Sequence, residues 1–291
     1  MINKIKESEL VLNPDGSVYH LKLQPEDIAD TIIAVGDMQR VSMISEYFDK
    51  IEIEKQNREF LTHTGTIGKK RITVLSTGIG TDNIDIVMNE LDALVNINLK
   101  TREILPELKK LKIIRLGTSG AVQKDIAVDS IVMSAYGLGF DGLLNYYDTS
   151  VLKKPRMLLS EFKKHTQWGR NLPEPYMNAC SSSLARKLGK GLVSGITATA
   201  SGFYAPQGRE LRLKVAYPNF NECMESFKYK DLRVVNYEME TSALYGLGKL
   251  LGHDTLTLCA IIANRVAKEF SKDYKKTVKG MVEMVLERLT A

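Results

Sequence analysis

The strongest constraint in this sequence is a recurring unit, a short β-branched run ending in glycine and followed by a segment of helical spacing. Thr31 to Gly36, Arg71 to Gly78 and Lys112 to Gly117 have this form, and Gly191 to Ala200 repeats the apolar run. Buried strands alternating with helices pair in parallel, because a crossover that holds a helix returns the chain to the same end of the sheet. The pattern predicts an α/β fold: a single three-layer αβα domain over residues 1–291, with a mainly parallel, twisted mixed sheet flanked by helices. Asp231 to Tyr237 and Thr255 to Ala263 supply two further strands. In such sheets ligands bind at the carboxyl ends of strands, so the residues after each run are the candidates for chemistry.

Apolar residues at three- and four-residue intervals predict helices over Gln39–Phe48, Asn83–Asn96, Thr101–Lys110, Asn178–Leu188, Thr241–Leu251 and Lys272–Leu289. Between residues 147 and 176 that spacing fails and Pro155, Pro173 and Pro175 interrupt it, which predicts an irregular insertion.

A chain of 291 residues with 44% hydrophobic content can bury a core without a disulfide or metal staple. Cys180, Cys223 and Cys259 are scattered and lack metal-site spacing, so a reducing compartment and no structural metal are expected. The amino terminus has no signal-peptide core, and the longest apolar stretch, Leu258 to Ala263, is too short to span a bilayer. A cytoplasmic protein without a membrane partner is the expectation. The net charge of +5 resides largely in lysine pairs such as Lys69/Lys70 and Lys275/Lys276, with no basic stripe interleaved with aromatics. Nucleic acid is therefore not an expected partner.

Several short segments carry the polar residues that follow strands. In Gly36-Asp37-Met38-Gln39-Arg40 a glycine lets backbone approach a ligand, Asp37 caps a helix, and Arg40 joins the free N–H groups of the first turn, an arrangement that suits an anion. Arg115 and Thr118, in Arg115-Leu116-Gly117-Thr118-Ser119-Gly120, stand at a strand end beside flexible glycines. Taken singly, each segment is equally a cap or a turn. Asn57-Arg58-Glu59-Phe60 reads alone as a surface ion pair. In Phe203-Tyr204-Ala205-Pro206-Gln207-Gly208-Arg209, Gln207 offers donor and acceptor, Arg209 a rigid donor fork, and Phe203 a stacking face, the elements needed to read a planar heterocycle. In Asn236-Tyr237-Glu238-Met239-Glu240-Thr241 a strand gives way to a helix. On a helical backbone residues i and i+2 diverge, so Glu240 is assigned to a ligand and Glu238 to structure. Ile261-Ile262-Ala263-Asn264-Arg265 is a buried strand that ends in polar residues at a site rim.

Together and in this order, from Val18-Tyr19-His20-Leu21 to Ala263-Asn264-Arg265, these segments resemble the uridine phosphorylases of the nucleoside phosphorylase family over nearly the whole chain. The resemblance implies a pentosyltransferase that converts uridine and inorganic phosphate to uracil and ribose 1-phosphate, with phosphate as co-substrate and no cofactor. It implies phosphate on Gly36, Arg40, Arg115 and Thr118, with Arg58 reaching in from a neighbouring subunit. Ribose falls to His20, Met239, Glu240 and Thr118, and His20 crosses the same dimer interface. The base falls to Phe203, Gln207 and Arg209, with Ile262 and Arg265 at the rim, and Arg209, Gln207 and Glu240 are the expected catalytic residues. Dimers that share their sites are implied, assembling further into hexamers in many members.

Purine-specific relatives carry an aspartate in the segment that here reads Ala263-Asn264-Arg265; its absence, beside Gln207 and Arg209, favours a pyrimidine. The sequence departs from the family at Met38, where proline is usual, and at Thr81-Asp82-Asn83, where Gly-Pro-Ser is usual. The second departure bears on a monovalent-cation site that some members hold near Glu59. A purine nucleoside phosphorylase or a nucleoside hydrolase on the same fold stays open as an alternative, as does a non-catalytic nucleoside-binding protein.

Overall fold

The computed structural model describes residues 4–152 and 155–291. In chain order its strands are β1 (Thr31–Val35), β2 (Lys50–Asn57), β3 (Phe60–Ile67), β4 (Lys70–Ser76), β5 (Ile97–Asn98), β6 (Glu103–Ile104), β7 (Lys112–Ala121), β8 (Ile131–Gly139), β9 (Tyr176–Ala179), β10 (Val193–Thr199), β11 (Lys228–Tyr229), β12 (Leu232–Glu238), β13 (Asp254–Asn264) and β14 (Glu269–Phe270). The helices are α1 (Met38–Ser45), α2 (Thr81–Asn96), α3 (Arg156–His165), α4 (Ser182–Leu188), α5 (Phe220–Ser226), α6 (Thr241–Leu251) and α7 (Tyr274–Thr290). Among the described residues twelve strands form one mixed sheet, and β5 and β6 form a separate hairpin.

The central strands are parallel, as the strand, glycine, helix unit requires: β1 lies between β4 and β7, and β7 also pairs in parallel with β13. Alternation of side chains across β1 shows why both faces must be covered. Ile32 and Ala34 pack with α2 and α6 in one cluster, while Ile33 and Val35 pack with α1, α4 and α7 in another. All five residues of β1 are buried, which explains its unbroken apolar sequence.

Beyond β7 the sheet curls back on itself. β13 pairs with β8, β8 with β10, β10 with β12, and β12 returns to β7 through Asn236 opposite Ala121 and Tyr237 opposite Gly120. Five strands thus close a small barrel, a closure that strand periodicity alone does not announce. It brings the carboxyl end of β12 against that of β7. Tyr245 of α6 bridges two of these strands, donating from its hydroxyl to Ser134 O of β8 (2.7 Å) and accepting from Thr257 N–H of β13 (2.8 Å).

The structure departs from the sequence expectations in four places. Residues 101–110 are not helical: Arg102 is left-handed with φ of 61°, Pro106 interrupts, and buried Asn96 ties the segment by accepting from Lys109 N–H. Residues 176–179 are strand β9 against β8, so that helix begins only at Ser182. The hairpin β2–β3 and strand β8 extend the sheet beyond the runs singled out by their glycines. Within residues 147–176, expected to be irregular, α3 packs Leu158 and Phe162 under the barrel beside Phe140, Trp168 and Phe227.

Candidate active site

The barrel closure sets one end of the candidate site. Arg115 and Thr118 project from β7, and the chain leaving β12 passes Glu238 and Met239 to start α6 at Glu240. Across from them β1 ends at Gly36, and Asp37 caps α1 by accepting Gln39 N–H at 2.9 Å. This places Arg40 one turn into the helix. Its Nη1 donates to Leu116 O at 3.0 Å, which fixes the guanidinium beside Arg115. Burial, and then the neighbouring charge of Arg115, push the Arg40 pKa below its ordinary value, so two guanidiniums held this close constitute a site of positive potential.

Two carboxylates offset that potential. Arg115 Nη2 donates to Glu240 Oε2, and Arg115 Nη1 lies 3.7 Å from Glu238 Oε2. Burial works against the Arg115 charge, yet Glu240 and Glu238 outweigh it and the pKa is raised. The expectation that Glu238 faces away from Glu240 is therefore corrected. The backbone at Glu240 is not helical (φ −137°), so both carboxylates approach one guanidinium. Glu238 also braces the turn into α6, since its Oε2 accepts the N–H groups of Glu240 (2.9 Å) and Thr241 (2.8 Å) and its Oε1 accepts from the Thr199 hydroxyl (2.6 Å). Burial nevertheless raises its pKa, with Arg115 opposing. Glu240 Oε1 accepts Gly80 N–H at 2.8 Å, so this one side chain joins the starts of α2 and α6.

The loop after β10 forms the other end. Tyr204 N-caps a short 3-10 turn, Ala205–Gln207, and Gly208 follows in the left-handed region with φ of 66°. That turn buries Gln207 and brings Arg209 back onto it: Arg209 Nη1 donates to Gln207 Oε1 and to Phe203 O, both at 2.6 Å. The guanidinium lies 3.9 Å from the Phe203 ring centroid, so one face of the ring carries Arg209. With its Oε1 engaged, the Gln207 amide is fixed in sense and its Nε2 is presented as a donor.

A single cavity of about 290 Å³ takes in Gly36, Arg40, Arg115, Thr118, Phe203, Gln207, Arg209, Met239, Glu240 and Ile262. These come from segments more than two hundred residues apart. The same cavity is lined by Ile79, Tyr237, Glu238 and Phe270, which sequence reasoning did not select. Tyr237 and Glu238 lay within a segment already singled out. Phe270 arrives on the two-residue strand β14, which leaves no signal in the sequence.

Four candidate residues do not line this cavity. Arg58 and His20 lie together elsewhere: Arg58 sits 5.8 Å over the Tyr19 ring, and Asn57 Nδ2 donates to His20 O at 2.8 Å. Arg58 occupies the left-handed region (φ 52°) at the tip of the β2–β3 hairpin, a conformation that costs a residue with a side chain roughly 1–2 kcal/mol. His20 Nδ1 lies 2.6 Å from Glu90 Oε1; a carboxylate only accepts, so Nδ1 carries a proton. Arg265 stands behind the wall, 5.4 Å from the Tyr237 ring. Glu59 Oε1 receives Asn83 Nδ2 at 3.2 Å. Among the described residues no group of three or more His, Cys, Asp or Glu side chains could hold a metal ion, and no helix is long and apolar enough to cross a membrane.

A model of the phosphorylase superfamily matches residues 30–291. The chain belongs to the phosphorylase superfamily. Among solved members, a nucleoside phosphorylase from Trypanosoma brucei that shows uridine phosphorylase activity superposes with a TM-score of 0.87 at 30% identity, covering 97% of this chain and 99% of that one. A superfamily member from Thermococcus kodakarensis, a uridine phosphorylase, is 29% identical over 95% of this chain and 88% of its own. A DeoD-type purine nucleoside phosphorylase from Colwellia psychrerythraea is also 29% identical, over 92% of this chain and 97% of its own. Identity alone thus does not separate the pyrimidine and purine branches of the superfamily; the residues of the pocket must do so.

Proposed function

We propose that this phosphorylase cleaves pyrimidine nucleosides, uridine above all, with inorganic phosphate, giving uracil and ribose 1-phosphate in the cytoplasm without a further cofactor. The observation that carries the reading is the union of Gln207 and Arg209 into one hydrogen-bonded unit in the same cavity as Arg40, Arg115 and Thr118. A purine reading needs an acid near the imidazole ring. Asn264, in the segment where purine-specific relatives carry theirs, is instead 1% exposed. Its Nδ2 donates to Gln123 O and Ile126 O, and its Oδ1 accepts the N–H groups of Val266 and Ala267. Both halves of that amide are committed to backbone.

In the proposed reaction, phosphate rests on Arg40, Arg115 and Thr118, completed by Arg58 of the partner subunit. His20 of the partner subunit hydrogen-bonds the ribose 5′-hydroxyl. Glu240 and Met239 hold the ribose so that a phosphate oxygen attacks C1′ while the glycosidic electron pair leaves with the base. The transition state has oxocarbenium character, and orientation and charge stabilisation supply the acceleration. The electron pair left on N1 of uracil then spreads onto O2 and O4, where Arg209 and the Gln207 amide bind the charge more strongly than the neutral ring. The test is turnover of uridine and inosine, each with and without phosphate. Phosphate-dependent release of uracil in excess of hypoxanthine is expected. Faster inosine cleavage would assign the protein to the purine branch, phosphate-independent cleavage would make it a hydrolase, and uridine binding without turnover would make it a binding protein.

A further inference from the structure

Behind the base-reading loop lies a residue that touches neither the base-reading side chains' tips nor the phosphate arginines. Asn221, half-buried on α5, sits against the backbone of Gln207 and Gly208 on one side and the guanidinium of Arg265 on the other. Its neighbours fix the sense of the amide. With Nδ2 toward Gln207 O and Oδ1 toward Arg265 Nη2, both contacts are 3.2 Å donor–acceptor pairs; the reverse makes one longer bond, Nδ2 to Gly208 O at 3.4 Å, and sets donor against donor at Arg265 and acceptor against acceptor at Gln207.

We infer that Asn221 is a positioning residue for base recognition, a clamp that ties the Gln207–Gly208–Arg209 turn of one segment to Arg265 at the end of another. Two further observations bear on it. Gly208 is left-handed (φ 66°), and a Cβ there would lie 2.4 Å from the Asn221 amide, so the turn is packed directly on this side chain. Arg265 is held by Asn221 at Nη2 and by the Tyr237 ring at 5.4 Å, while its Nη1 is buried without a protein partner among the described residues. Arg209 and Arg265 are like charges, close enough that Arg265 disfavours the Arg209 charge. The Asn221 carbonyl anchors Arg265 while its amino group anchors the turn that carries Arg209.

This inference rests on the assignment of Gln207 and Arg209 to the base, and the experiment separates the two. Wild-type enzyme is first assayed with uridine and inosine, and the base it releases faster serves as the product inhibitor. Asn221→Ala is then expected to weaken inhibition by that base, and to raise the nucleoside KM, by about tenfold, the range of one or two lost hydrogen bonds. The phosphate KM should stay within about twofold. Asn221→Asp keeps an acceptor for Arg265 but sets an acceptor against Gln207 O, so it should recover only part of the loss. Gly208→Ala, which pushes on the same amide from the turn, should reproduce the split. A wild-type preference for inosine would overturn the uridine assignment while leaving the clamp to be judged by the same ratio. Equal losses in base and phosphate affinity, no loss in either, or the absence of turnover with both nucleosides would overturn the clamp.

Discussion

Arg115 and Glu240 form a buried ion pair at the point where the barrel closes, each 4% exposed, with Glu238 as a second carboxylate 3.7 Å from the same guanidinium. One pair thus joins β7 to the start of α6 and places a phosphate candidate beside a ribose candidate.

Removing Arg115 takes away the guanidinium that pairs with both buried carboxylates. Arg115→Met is expected to destabilise the fold by about 3–5 kcal/mol at neutral pH, the usual consequence of breaking one side of a buried pair. The sign of the pH dependence follows from Glu238, whose folded pKa is raised because burial disfavours its charge while Arg115 opposes that rise. A carboxylate with a raised folded pKa contributes stability at low pH and loses it as pH rises through that value. Without Arg115 the rise is larger, so the penalty should shrink on going from pH 7.5 to pH 5. Urea unfolding at both values measures it; a loss under about 1 kcal/mol, or one independent of pH, would contradict the pairing.

Arg209 makes a kinetic prediction. Burial, and then the adjacent Arg265, lower its pKa to about 10. The charged form is the one that stabilises the departing base, so kcat/KM for uridine should fall as pH rises through about 10. Arg265→Gln removes a like charge and should move that limb to higher pH. At neutral pH Arg209→Ala should lower kcat about a hundredfold, the scale of one lost transition-state donor, with little change in phosphate KM. Equal effects on both substrates would count against this role.

The alternation of apolar strands and helices was legible because buried parallel strands need unbroken apolar runs and their helices need one apolar face. β2 was hidden for the opposite reason: Lys50–Asn57 lies at the sheet edge, is largely exposed and alternates charged with apolar residues. Thr101–Lys110 carried helical spacing, yet Ile104 and Leu108 are 58% and 64% exposed, so that spacing reported no buried face. In the site, residues placed by strand ends were readable from a glycine or a change of polarity nearby. Phe270, which reaches the cavity from a two-residue strand, and Asn221, which packs behind the base-reading loop from the short helix α5, were not, since tertiary packing alone places them. The stacking of Arg209 on Phe203 was equally invisible, because two side chains of one loop compete there for the same face.

Arg58 and His20 lie together outside the cavity of their own chain, so the proposed sharing of sites between two copies is open to a direct test. Arg58→Ala and Arg209→Ala should each be nearly inactive alone. After mixed refolding in equal amounts, half of the dimers pair one variant with the other, and each such dimer rebuilds one intact site. Activity should then recover to roughly a quarter of wild type. No recovery, with mixed dimers verified by mass, would place Arg58 outside the neighbouring site.

The most direct measurement follows the oxygen that attacks C1′. With uridine and ¹⁸O-labelled phosphate, the reaction should yield one ribose 1-phosphate per uracil, with label in the oxygen that bridges C1′ and phosphorus. Free ribose carrying oxygen from water, or no cleavage of uridine while inosine is consumed, would contradict phosphate attack on a pyrimidine nucleoside in this cavity.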